Sequence, residues 1–205
     1  MTQYGFYFDG SRCSGCKTCV LSCKDVKNLD AHKAYRQVYD YEGGSWSADG
    51  DAMTQDVYAY HVSVSCNHCE SPICLANCPQ GAISKDEETG AVISDSELCI
   101  GCGTCVTSCP YGAPSVDAEQ GKSIKCDMCK DRVVEGKKPI CVEACPLRAL
   151  DFGEIDELRA TYGSQDSVPP LPAATTGPCL VIKEAPAMAV AKTSEGFIAN
   201  EPELV

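Results

Sequence analysis

Apolar residues in this chain come in short runs rather than long periodic faces, and most runs lead into a cysteine. Tyr4 to Phe8 predicts a short strand running into the loop at Cys13. Lys27 to Asp56 is polar and broken by Gly43-Gly44 and Asp49-Gly50-Asp51, which predicts an inserted loop of irregular structure. From Val57 to Val64 the pattern alternates, with Tyr58, Tyr60, Val62 and Val64 on one side and Ala59, His61 and Ser63 on the other. That predicts a half-buried strand entering Cys66. Ala82-Ile83-Ser84 and Ala91-Val92-Ile93-Ser94 flank a polar Asp86-to-Gly90 link and predict a hairpin. Beyond Gly163, Pro169, Pro170, Pro172, Pro178 and Pro186 predict an extended arm that wraps a partner or the rest of the molecule. No apolar stretch approaches the roughly 18 residues that span a bilayer.

Such a pattern gives one or two domains in 205 residues but no large aliphatic core, since aromatic content is 7% and the sequence holds 17 glycines and 12 prolines. Cysteine supplies what the core lacks. Of 17 cysteines, all but Cys179 fall into four groups: Cys13, Cys16, Cys19, Cys23; Cys66, Cys69, Cys74, Cys78; Cys99, Cys102, Cys105, Cys109; and Cys126, Cys129, Cys141, Cys145. The first and third read C-x2-C-x2-C-x3-C, the ligand run of cubane clusters in two-cluster bacterial ferredoxins. Three thiolates in one short loop wrap three corners of a cube, while the fourth leaves on a helical turn and serves the neighbouring cluster. Proline after Cys78, Cys109 and Cys145 suits that turn, having no amide hydrogen to lose, whereas Cys23 is followed by Lys24. Cys78 to Ala82, Cys109 to Ala113 and Cys145 to Ala149 share the pattern C-P-x-x-A, a repeat that points to duplication.

A disulfide framework fits poorly, because residues 1 to 25 carry no apolar signal segment and the sequence is long for a secreted scaffold. Structural zinc suits two separated C-x2-C knuckles, so Cys126, Cys129, Cys141 and Cys145 alone are compatible with a zinc site. Cys179, in the run Cys179-Leu180-Val181-Ile182, reads as a buried bystander. The formal charge is −12, and four cubanes at about −2 each would bring it near −20, which excludes a nucleic-acid partner. Against this, Lys122, Lys125, Lys130, Arg132, Lys137, Lys138 and Arg148 form a basic segment, read either as local neutralisation of the clusters or as a docking patch for an acidic redox partner. His68, between two ligand positions, either points an N–H at a cluster sulfur or sits on the loop surface. His32 and His61 read as structural or exposed. Trp46 reads as an interface anchor or a local packing group. Gly101-Cys102-Gly103 belongs to a cluster loop, and no nucleotide fingerprint or catalytic dyad is present.

These readings assemble into an α+β, loop-rich fold of two bacterial-ferredoxin-like two-[4Fe-4S] modules, one inserted within the other. Residues 1–60 hold the first half of the outer module and the inserted loop, 61–117 the inner module, 118–163 the second outer half, and 164–205 the Pro/Ala-rich arm. The stretches Ser11 to Cys19, Ser65 to Cys69, Cys109 to Pro114 and Glu135 to Cys141 resemble, end to end, the four-cluster iron-sulfur (beta) subunits of anaerobic dimethyl sulfoxide reductases. That resemblance implies ligand sets Cys13, Cys16, Cys19 with Cys145; Cys126, Cys129, Cys141 with Cys23; Cys66, Cys69, Cys74 with Cys109; and Cys99, Cys102, Cys105 with Cys78. With cysteine rather than tryptophan at Cys102, four complete cubanes are expected.

The same resemblance implies a heterotrimer: a molybdopterin catalytic subunit facing the first cluster, this non-catalytic subunit, and a membrane anchor that oxidises quinol beside the last. It also implies folding in the cytoplasm, export with the catalytic subunit, and a peripheral position on the outer membrane face. Two rival readings are the iron-sulfur subunit of a formate-dehydrogenase-like molybdopterin enzyme and a freely diffusing polyferredoxin. The first has an opposite direction of use; the second leaves the polar insertion and the tail without purpose.

Overall fold

The computed structural model describes residues 2–204. Its first part runs β1 (Tyr4–Asp9), α1 (Thr18–Val26), β2 (Arg36–Gly43), β3 (Trp46–Asp49), β4 (Ala52–Gln55) and β5 (Tyr58–Ser65). A middle part follows as α2 (Ile73–Ala76), β6 (Ile83–Lys85), β7 (Val92–Ser94), α3 (Thr104–Ser108), β8 (Ser115–Asp117) and β9 (Lys122–Ile124). The last part is α4 (Lys130–Val134), α5 (Ile140–Glu143), β10 (Leu150–Glu154), α6 (Ile155–Tyr162), β11 (Leu180–Lys183), α7 (Pro186–Ala191), β12 (Gly196–Ile198) and a 3-10 turn at Glu201–Glu203.

β1 is the centre of a three-stranded sheet, antiparallel to β10 and parallel to β11. A central strand is covered on both faces, which is why its sequence is a continuous apolar run rather than an alternating one. Phe6, Tyr7 and Phe8 are all buried. Gly5 is required by close approach, since a Cβ there would lie 2.6 Å from the Cys179 carbonyl oxygen. Pairing Tyr4 with Glu154 and Phe8 with Leu150 carries the backbone after the fourth cysteine group back to the first. Tyr4 stacks on Phe152 at 5.3 Å between ring centroids, which locks that return.

The insertion is more ordered than its polarity suggests. β2 pairs with β5 along its whole length, from Arg36 opposite Ser65 to Gly43 opposite Tyr58. Tyr58, Tyr60, Val62 and Val64 are buried, as the alternation predicts, and Tyr41 packs its ring on Tyr60. The well-patterned strand β5 thus acts as the template that orders a poorly patterned one. Only the hairpin β3–β4 at the tip is exposed throughout. Trp46 is 65% exposed there, with Met53 close to it in exposure, so local burial is not its role. Trp46→Ala should therefore leave the melting temperature and iron content of the isolated subunit unchanged, within the roughly 0.5 kcal/mol usual for surface positions; a larger loss would show that the hairpin packs on the body in solution.

The tail folds back on the rest of the molecule, one of its two expected courses, and parts of it enter the sheets as strands. β11 joins the central sheet with Leu180, Val181 and Ile182 buried, and Cys179 has no exposed surface. β12 adds to the free edge of β2, and Asn200 pins it by donating to the Val38 carbonyl (2.9 Å) while accepting from the Asp40 amide (2.8 Å). The prolines are compatible with this because they stand outside the strands, with Pro186 opening α7 where no amide hydrogen is needed. Short apolar strand signals prevailed over proline content.

Candidate cluster-binding sites

Helices α2 to α5 are four or five residues long. Alone such turns are unstable in water. Each carries or follows a cysteine: Cys74 on α2, Cys105 on α3, Cys129 just before α4 and Cys141 on α5, while α1 carries Cys19 and Cys23. Their purpose is to aim thiols inward.

The thiols line separate spaces. Cys13, Cys16, Cys19 and Cys145 surround one cavity closed by Phe8, Val38 and Leu150. Cys66, Cys69, Cys74 and Cys109 surround a second with Asn67, Lys125 and Thr176. Cys99, Cys102, Cys105 and Cys78 surround a third with Ile83, Ile100 and Ser123. Of the other four, Cys23 on α1 and Cys141 on α5 meet where those helices pack, with Cys129 near Cys23 and Cys126 near Cys141. Burial, with Cys141 and Cys129 nearby, pushes the Cys23 thiol up to about 12, and burial with Cys66 and Cys141 nearby holds Cys126 well above the ordinary thiol range. Burial likewise raises Cys13 and Cys74 to about 11. Among the described residues no three His, Cys, Asp or Glu side chains gather as they would about one ion, and no cysteine is in a disulfide. In three of the four sets the thiols stand around a common space, the arrangement that places one thiolate at each iron of a polynuclear cluster.

Local hydrogen bonds explain the repeat. The Ala82 amide donates to Cys78 Sγ and the Ala149 amide to Cys145 Sγ, both at 3.3 Å, and the Ala113 amide does the same for Cys109. The residue before each alanine has positive φ, at Gly81, Gly112 and Arg148, turning the backbone so that the next amide faces sulfur. Hydroxyls supply further contacts: Ser63 with Cys19 (3.4 Å), Ser123 with Cys105 (3.2 Å) and Thr176, from the folded-back tail, donating to Cys69 (3.1 Å). Such contacts to ligand sulfur favour the more negative, thiolate form.

The four groups adjoin in succession. Cys19 lies near Cys141, Cys126 lies near Cys66, and Cys74 shares an apolar cluster with Cys105 and Cys78. At the two ends Cys16 and Cys102 are exposed, each beside a threonine hydroxyl, Thr18 at 3.4 Å and Thr104 at 3.3 Å, that lowers its pKa. The interior groups hold only buried or half-buried cysteines, whereas each terminal group presents one exposed cysteine.

Several side chains acquire roles only in three dimensions. His68 is fully buried rather than on the loop surface; its Nδ1 accepts the Val92 amide hydrogen at 2.9 Å, while its Nε2 has no partner among the described residues. Burial and the neighbouring Lys125 keep the ring neutral. In the basic segment, Lys130 pairs with Asp86 (2.6 Å), Lys137 with Glu135 (2.7 Å), Lys138 with Asp151 (2.5 Å) and Arg132 with Glu143. Lys125 is buried and donates to the Cys126 carbonyl at 2.8 Å. The carboxylate pairs leave Lys130, Arg132, Lys137 and Lys138 no free cationic patch, whereas Lys122 and Lys125, donating to the Cys99 and Cys126 carbonyls, stand where they can offset cluster charge. Arg36, Ser63, Ser123 and Thr176 carried no sequence signal, since none lies in a cysteine loop. A cleft of about 840 Å³ is lined by ion-paired Asp9, Lys183, Lys138 and Asp151 beside Tyr7 and Tyr162, and no cysteine opens into it.

Comparison with known proteins gives two family matches: a 4Fe-4S dicluster domain over residues 57–155 and a 4Fe-4S binding domain over residues 10–35. The sequence is 52% identical over 204 residues to the B subunit of anaerobic dimethyl sulfoxide reductase of Escherichia coli K12, covering 99% of both proteins. It is 50% identical over 206 residues to the B subunit of the Haemophilus influenzae reductase, covering both completely. A more distant relative is the thiosulfate reductase electron transfer subunit of Salmonella typhi, 36% identical over 156 residues, which are 76% of this protein and 78% of that one.

Proposed function

This protein belongs to the family of non-catalytic iron-sulfur electron-transfer subunits typified by the B subunit of anaerobic dimethyl sulfoxide reductase, and from that premise we propose that it is a four-cluster wire within a membrane-bound respiratory reductase. Bound [4Fe-4S] clusters supply reversible one-electron chemistry at potentials the protein sets. Cys13, Cys16, Cys19 and Cys145 hold the first; Cys23, Cys126, Cys129 and Cys141 the second; Cys66, Cys69, Cys74 and Cys109 the third; Cys78, Cys99, Cys102 and Cys105 the fourth. The two-module nesting follows from these crossovers, with residues 61–117 inside the outer pair of halves.

The observation that carries this reading is the succession of four thiol groups in which the two end members alone present an exposed cysteine, Cys16 and Cys102. A storage protein needs no such exposed termini, whereas a subunit that accepts electrons at one face and delivers them at another does. The end at Cys16 faces a molybdopterin subunit that reduces sulfoxides or N-oxides, and the end at Cys102 faces a quinol-oxidising anchor. No described helix is long and apolar enough to cross a membrane, which fits attachment through that anchor, on the outer face after joint export with the catalytic subunit.

Anaerobic purification should yield about 16 iron and 16 sulfide per subunit, co-purifying from solubilised membranes with a molybdenum-containing subunit and an integral one. The isolated subunit should reduce no sulfoxide with any electron donor. Iron near 12 with one zinc would overturn the count, recovery only as a lone soluble protein would favour a polyferredoxin, and turnover by the lone subunit would overturn the conduit reading.

A further inference from the structure

Among the described residues Arg36 is the largest fully buried side chain, and it is a cation. It lies at the start of β2, where Nη1 donates to the Ser63 carbonyl (3.3 Å) and hydroxyl (3.2 Å) and Nη2 donates to the Ser65 hydroxyl (3.0 Å). Its guanidinium carbon stands 5.0 Å from the Phe6 ring centroid. Among the described residues no carboxylate pairs with it, and its Nε–H has no acceptor. A buried guanidinium with only neutral partners is expensive, and removing it from water costs several kcal/mol unless an anion compensates. The anion-forming groups that its charge acts on are thiols: its guanidinium reaches Cys141 as a hydrogen-bond donor, lies near Cys19, Cys23 and Cys126, and shares the Ser63 hydroxyl with Cys19. Cys19 belongs to the first ligand set, whereas Cys126 and Cys141 belong to the second.

We infer that Arg36 is a positioning charge shared by the first and second clusters, holding both reduction potentials up and screening the repulsion between two neighbouring reduced centres. The inference rests on the four-cluster reading above. A fixed positive charge stabilises the reduced, more negative state of each centre it faces, and burial leaves it little screened by salt. Ser63 couples the two roles, since its hydroxyl meets both Arg36 and Cys19. Arginine suits the position because it stays charged when buried and spreads its donors over a fork.

The test is redox titration of the purified complex, followed by paramagnetic resonance, for wild type, Arg36→Gln and Arg36→Lys, with iron counted in each. The two relevant signals are those lost in Cys19→Ser and in Cys126→Ser. In Arg36→Gln both should become harder to reduce by about tenfold in the reduction equilibrium, about 59 mV for a one-electron couple, with the other two unmoved. Arg36→Lys should stay near wild type. Unchanged potentials at full iron, equal shifts in all four signals, or a lysine variant displaced as far as the glutamine one would overturn the proposal. Should Arg36→Gln fail to load its clusters, loading of Arg36→Lys supports a requirement for charge, and its failure too overturns it. An iron count far below four clusters in wild type would instead sink the four-cluster reading itself.

Discussion

The iron-free protein should have no cooperative thermal transition at 25 °C or above, and its near-ultraviolet circular dichroism should be flat. Four of the helices that carry or flank ligands are one turn long, and three of the five sheets are isolated hairpins of three or four residues per strand. Neither kind of element is stable alone in water. Structural metal centres contribute on the order of 10 kcal/mol to the folding of small domains, more than the usual net stability margin. The apolar cluster around Phe6, Phe8, Val62 and Phe152 is real, but cysteines Cys19, Cys141 and Cys145 are themselves members of it, so losing the metal opens the core from within.

The pH dependence has a definite sign. Burial raises Cys13 and Cys74 to about 11 and Cys23 to about 12, so in the metal-free fold these thiols bind protons more tightly than in the unfolded state. Any residual apo structure is therefore favoured below pH 9 and loses that contribution as pH rises through 9 toward 11 or 12. For the loaded protein the direction reverses, because each departing iron leaves thiolates that take up protons readily. Chelator-driven iron release, followed by absorbance, should thus accelerate as pH falls from about 8 to about 6. A metal-free protein that keeps native near-ultraviolet signal and melts cooperatively would show that the polypeptide scaffold, not the metal, carries the fold.

How far the sequence reveals this architecture depends on whether each signal is local. The cysteine loops, β1, β5 and the β6–β7 hairpin are legible because ligand spacing, alternation and turn residues lie within a few positions of one another. β2 is not, since it mixes Arg36, Asp40 and Glu42 with Val38, Tyr39 and Tyr41, and only pairing with β5 gives those apolar groups a surface to cover. The return of the tail is hidden because its proline content masks the apolar run at Cys179 to Ile182, whose partner β1 lies more than 170 residues earlier. Arg36 is hidden for the same reason: a charged residue in a polar insertion gives no hint that tertiary packing will seal it completely.

The proposed crossover of the fourth cysteines would set the order of electron flow, and a pair of substitutions tests it. Cys78 follows Cys74 by four residues yet lines the cavity of Cys99, Cys102 and Cys105, while Cys109 lines that of Cys66, Cys69 and Cys74. Pro79 and Pro110 direct the backbone away immediately afterwards, and the Ala82 amide holds Cys78 Sγ facing the far cavity at 3.3 Å. Cys78→Ala should therefore remove or convert the cluster on Cys99, Cys102 and Cys105, leaving the one on Cys66, Cys69 and Cys74 intact, with iron falling by up to about four of roughly 16. Cys109→Ala should do the reverse. Paramagnetic resonance of the reduced variants distinguishes the two losses, because each cluster's signal is abolished by substituting one of its own loop cysteines, Cys69 or Cys102. If Cys78→Ala instead abolishes the signal tied to Cys69, each loop closes on its own cube, the nested modules are wrong, and the electron path is a row of four self-contained loops.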